Sequence, residues 1–161
     1  MYVKSFVLVA IVIFTSACAS RYLEPQVGEL AALEMPVKHV KVGIGANSSI
    51  YLFAIKEKGS NCGKVFKPLG PKNRGDKTVT VNIPADREIF VANFSSIGSY
   101  SFCNVAGSFK STQNKNYKLT SAPIYSGCGI VLFELDGDKA KAIELDDAKL
   151  DNLTGTKICS E

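Results

Sequence analysis

The sequence has no tryptophan and a single histidine, His39. One imidazole argues against a histidine-rich metal centre and leaves a Ser-His-Asp site only one place to be built. No two cysteines stand at C-x-x-C spacing, which argues against zinc ribbons and dithiol redox motifs. No apolar run approaches the roughly 20 residues that a helix needs to cross hydrocarbon. Excess charge is also small: 19 Lys and Arg against 15 Asp and Glu give +4, too little to indicate a nucleic-acid partner. With 46% apolar residues the chain is too hydrophobic to be disordered, and 161 residues suffice for one ordinary domain.

What is present begins at the N-terminus. Lys4 precedes the apolar run Phe6 to Phe14, and Thr15-Ser16-Ala17-Cys18 follows it. A short apolar run after a positive residue and before small ones is the pattern of a cleaved secretory signal. The last four residues resemble the lipobox of bacterial lipoproteins, although Thr15 stands where that family usually carries Leu. The resemblance covers residues 1–20 and implies that 1–17 is a lipoprotein signal peptide, cut before a Cys18 that carries diacylglycerol. In the sorting pattern of that family an Asp after the cysteine retains the protein at the inner membrane. Ala19 therefore implies the outer membrane; the periplasmic face is expected ahead of the cell surface, and the sequence leaves the choice of face open. The alternative on the same residues is an ordinary signal cut after Ala17 or Ala19. Processing before Cys18 leaves 18 basic against 15 acidic side chains, a net +3, and setting the lipidated Cys18 aside leaves an even four of the five cysteines.

Residues 18–36 read as a lipidated tether, with one or two helical turns over Glu29 to Met35 ended by Pro36. Fully extended, such a tether would reach about 65 Å. From residue 37 to 161 the signals are those of strands. Val40, Val42 and Ile44 alternate, Ile50 to Ile55 is continuously apolar, and Thr78 to Ile83 alternates without a fault. Ile89 to Phe94, Ser99 to Val105, Tyr117 to Thr120, Cys128 to Leu135 and Lys139 to Leu145 follow. Asp136-Gly137 predicts a type I′ hairpin with Leu135 opposite Asp138, Glu134 opposite Lys139 and Phe133 opposite Ala140. That register puts Val131, Phe133 and Leu135 on one face. Gly137 comes too early for an EF-hand loop. About seven or eight short strands without a long helix predict an all-β fold, an antiparallel β-sandwich, with a short final helix within 144–154.

Cys62, Cys103, Cys128 and Cys159 are expected to form two disulfides in an oxidising compartment. Three connectivities are possible. One hairpin-like connection joins the strands of Cys103 and Cys128, which favours that pair and leaves Cys62 with Cys159.

No catalytic constellation stands out. His39 has no evident Ser or Cys partner and reads as a strand residue. Gly43 to Ser48 lacks the third Gly of a dinucleotide loop, and Arg74-Gly75-Asp76 reads as turn chemistry. Asp146, Asp147 and Asp151 are carboxylates without an assigned role. The stretch with a functional flavour is 64–77, where Lys64, Lys67, Lys72, Arg74 and Lys77 oppose Asp76 alone. Such a loop could contact an anionic surface, or its charges could simply be solvated. The expected function is therefore a membrane-anchored envelope lipoprotein, without cofactor or metal, whose non-catalytic domain binds a protein or cell-envelope partner. An accessory lipoprotein of a surface or secretion machine, and an envelope-polymer hydrolase, are the competing readings.

Overall fold

The computed structural model describes residues 21–37, 39–40, 48–67, 69–97, 101–124, 127–150 and 157–161. Twelve strands and no helix are found among them. The all-β class is thus as expected.

The alternation in Thr78–Pro84 (β5) is carried into the fold: Val79, Val81 and Ile83 are buried while Thr78, Thr80 and Asn82 are exposed. Beside β5 lies Leu30–Pro36 (β1), in the stretch expected to be tether and helical turn. Ala31, Leu33 and Met35 point into the core and are at most 4% exposed. β1 pairs antiparallel with β5 and parallel with Asn116–Ile124 (β8). The residues of Leu-Ala-Ala-Leu-Glu-Met are good helix formers, but a period-two burial between two neighbouring strands outweighs that preference. Across the β1–β8 pair, Glu34 meets Lys118 at 3.2 Å. Gly127–Asp136 (β9) and Lys139–Ile143 (β10) complete a five-stranded sheet of order β10-β9-β8-β1-β5.

The β9–β10 hairpin turns one residue later than expected. Asp136 pairs with Lys139, Leu135 with Ala140 and Glu134 with Lys141. Gly137 has φ +58° and Asp138 has no positive φ, the type II′ pattern in which Gly comes first; type I′ needs two positive angles. The inward face also differs. Leu132 is fully buried, whereas Val131, Phe133 and Leu135 are only partly so. Both faces of β9 are apolar, so its own pattern does not contain the choice of face.

The second sheet has the order β2-β3-β4-β12-β11-β7-β6, where β2 is His39–Val40, β3 Ser48–Lys56, β4 Cys62–Val65, β6 Glu88–Ile97, β7 Ser101–Lys110, β11 Asp146–Leu150 and β12 Lys157–Ser160. β3 also pairs with β6 over Ser48 to Ile55, so six of these strands close into a ring with β2 outside it. The expectation is an antiparallel β-sandwich, whereas this sheet closes on itself, because β3 is hydrogen-bonded along both edges, to β4 on one and to β6 on the other. The short helix expected within 144–154 is instead β11, paired with β7 and β12; 151–154 lie outside the described residues. On β7, Gly107 leaves room for the Leu145 side chain just before β11: a Cβ there would come within 2.8 Å of Leu145 Cβ.

Two cores result. Ala54, Val65, Phe90, Ala92 and Ile158 fill the ring, with Ala106 and Ala148 packed against them. The many alanines suit the narrow lumen of a small barrel. Alternate residues of the same strands, Phe53, Ile89, Val91 and Phe109, pack outward against Leu33, Val81, Ile83 and Leu132 of the five-stranded sheet.

Candidate functional site

The 64–77 stretch does not stand free as a purely solvated loop. Lys64 belongs to β4, where it is exposed opposite Ile55 and Lys157. Phe66 and Leu69 then turn down onto the main core. Phe66 stacks 4.8 Å from Tyr22 and 5.1 Å from Phe53, and Tyr22 meets Phe53 edge-on at 4.8 Å. Arg74-Gly75-Asp76 is a turn: the Asn73 N–H donates to Asp76 Oδ2 at 2.7 Å, and the Asp76 N–H to the Asn73 carbonyl at 3.2 Å.

Tyr22 and Glu24, in the presumed tether, are the residues that sequence reasoning missed. The Tyr22 hydroxyl donates to the Asn82 carbonyl at 2.6 Å, and the Asn82 N–H donates to Glu24 Oε2 at 3.1 Å. Two side chains thereby satisfy both backbone groups of one residue on the outer edge of β5. Burial, and secondarily the Glu24 charge, push the Tyr22 phenol from 10.0 up to about 12. The signal was present as period-two spacing: Tyr22 and Glu24 share a face, with Leu23 on the other. Only knowledge of the β5 edge gives it meaning.

Around this junction lies a cleft of about 520 Å³ lined by Arg21, Glu24, Lys67, Leu69, Lys72 and others. The Lys72 ammonium is 3.9 Å from Glu24 Oε1. The structure therefore gathers Lys67 and Lys72 with Arg21, a residue not anticipated. It leaves Lys64 on the strand, and Arg74 and Lys77 exposed along the loop.

A second cleft, of about 640 Å³, opens at the end of the ring where β3, β6 and β7 meet. Lys56, Lys58, Arg87 and Lys110 line it together with Glu57, Asp86, Glu88 and Asp146, four charges of each sign. Lys56 Nζ lies 2.6 Å from Glu88 Oε2, and Ser108 donates to Glu88 Oε1 at 3.3 Å, so both carboxylate oxygens are engaged. Arg87 donates to the Lys56 carbonyl at 2.6 Å. The fully buried Ser111 hydroxyl braces the turn below through the Pro84 and Arg87 carbonyls. A cleft balanced in this way selects no sign of ligand. Asp146 lines it, Asp147 does not, although both stand in the β11–β7 ladder, and Asp151 lies outside the described residues.

Cys62 and Cys159 face each other across the β4–β12 pair and are disulfide-bonded, closing 97 positions of sequence. Cys103 is also disulfide-bonded. The side chain of its expected partner Cys128 lies outside the described residues, as does Cys18. The His39 backbone is in β2. Among the described residues no group of three or more His, Cys, Asp or Glu is placed to hold a metal ion. Comparison of the chain with protein-family models, curated proteins and solved structures finds no match.

Proposed function

We propose that this chain is an envelope lipoprotein, anchored through Cys18 in the bacterial outer membrane, whose β domain serves as a non-catalytic binding module on the periplasmic face. The observation that carries the reading is the N-terminal series of Lys4, the apolar run Phe6 to Phe14, and Thr15-Ser16-Ala17-Cys18. Two or more acyl chains on that cysteine hold a protein stably, since each buried methylene contributes about 0.8 kcal/mol. In this reading the five-stranded sheet and the adjoining wall of the ring are the two layers of a sandwich. The basic residues at 64–77 offer contact to an anionic partner. Both oxygens of Glu88, the most enclosed acid of the second cleft, are held in structural contacts, which favours binding over acid–base chemistry there.

Metabolic labelling with a palmitate analogue tests the reading. Wild-type protein is expected to take the label, and Cys18→Ala to lose it and accumulate unprocessed or soluble. Label retained by Cys18→Ala would overturn lipidation at this residue.

A further inference from the structure

We infer that residues 21–27 and the basic loop form a single membrane-facing seat, lying directly on anionic lipid headgroups. The inference rests on the proposed lipidation of Cys18 and concerns what that anchor does to the domain.

Tyr22 is fixed to the fold by its hydroxyl bond to Asn82 and its ring contacts with Phe53 and Phe66. The chain between the anchor and that fixed point is therefore only the step from Cys18 to Tyr22. Four residues reach about 14 Å even fully extended. A domain of this size has a radius of gyration of about 14 Å, so such a leash cannot carry it clear of the surface or let it turn freely. The long spacer implied by residues 18–36 is replaced by a short one. Whatever lies beside Tyr22 lies beside the bilayer.

What lies there has the composition of an interface. Arg21, Lys67 and Lys72 line one cleft, and Arg74 is exposed farther along the same loop. The acid in the lining of this cleft is Glu24, and the acid in the 64–77 loop is Asp76. Glu24 is turned onto the Asn82 N–H and Lys72, and Asp76 onto the Asn73 N–H, so both carboxylates are partnered within the protein. Leu23 and Val27 are 83% and 86% exposed, the large hydrophobic residues that stand out among the described residues. Single exposed apolar residues are ordinary. Two of them in the segment nearest a lipid anchor, next to cations, match the pattern of interfacial binding. Screening extends about 8 Å at physiological salt, so cations held this close still feel an anionic leaflet.

The test uses the acylated full chain reconstituted in vesicles containing phosphatidylglycerol, with amine-reactive footprinting read by mass spectrometry. Lys139 and Lys141 serve as internal controls. They are exposed on β10, at the opposite edge of the five-stranded sheet from β5 and about 19 Å away by strand spacing. Relative to detergent solution, Lys67 and Lys72 are expected to react several-fold more slowly on the vesicles, while Lys139 and Lys141 are unchanged. Equal reactivity of all four on protein that floats with the vesicles would overturn the seat and leave the anchor standing. Equal protection of Lys67 and Lys72 on pure phosphatidylcholine would remove the anionic recognition and overturn the inference as stated. Flotation of a Cys18→Ala chain lacking residues 1–17 to the same extent as wild type would overturn the anchor, and the seat with it.

Discussion

The ring and the five-stranded sheet deal with unpaired strand edges in opposite ways. The ring closes, because β3 hydrogen-bonds β6 as well as β4, and closure gives each of its six strands a partner on both sides. The open sheet keeps two edges and protects each by side chains. β10 presents Lys139 and Lys141 at one end, and β5 is capped at the other by Tyr22 and Glu24. The ring is made entirely from residues after Val37. The sheet needs the N-terminal segment twice, as its interior strand β1 and as the cap on β5. Residues 21–36 thus belong to the folded domain.

The largest expected effect breaks the comparison at β1. Leu33 is fully buried between sheet and ring, and Leu33→Ala should cost about 2–5 kcal/mol. Phe90→Ala, inside the ring, should cost about 3–5 kcal/mol. Because one core contains residues of both sheets, each variant should shift a single urea transition that fluorescence and circular dichroism report together. A loss below about 1 kcal/mol for Leu33→Ala would return residues 18–36 to a tether.

The next effect sharpens the ring side. The Cys62–Cys159 disulfide joins two adjacent ring strands and spans 97 positions. Cys62→Ala with Cys159→Ala should cost about 2–4 kcal/mol. Denatured, unreduced mature protein should take no thiol label and gain four after reduction, one for each cysteine other than Cys18. Two labels before reduction would mean that one of the two pairs is not formed.

How much of this was legible follows from where the information resides. β5 could be read because Thr-Val-Thr-Val-Asn-Ile writes its burial pattern into its own alternation, and β3 and β6 because their apolar runs are buried on both faces. The Cys62–Cys159 pair was reached by elimination among cysteines. β1 was misread because Ala, Leu, Glu and Met favour a helix locally, and the opposing preference comes from β5 and β8, far away in sequence. β11 escaped because its acidic first residues, Asp146 and Asp147, lie on an exposed stretch with little apolar pattern. Ring closure could not be read at all, since it depends on which second neighbour β3 meets. At the candidate site the cations of the loop were evident. Their grouping with Arg21 depended on Tyr22, whose partner is a backbone group 60 residues on.

The smallest expected effect tests the cap on β5 alone. Tyr22→Phe removes the hydroxyl and keeps a ring to pack on Phe53 and Phe66. The lost bond to the Asn82 carbonyl should cost about 1 kcal/mol near neutral pH. The sign with pH follows from a phenol raised from 10.0 in the free chain to about 12 in the fold. Below the lower value both states are protonated, and the contribution is fully present. Between the two values the unfolded chain releases a proton that the folded chain retains, so the wild type loses stability as pH rises, and the contribution is gone above the upper value. Phenylalanine has no proton to release. The gap between wild type and Tyr22→Phe, measured by urea unfolding across this range, should therefore narrow from about pH 10 upward. Tyr22 is only half-buried, so solvent screening makes that narrowing smaller than full linkage would give. A gap that stays constant through the range would mean that Tyr22 is not held against β5. The leash from Cys18 would then be longer than four residues, and the ring would be the better-defined half of the molecule.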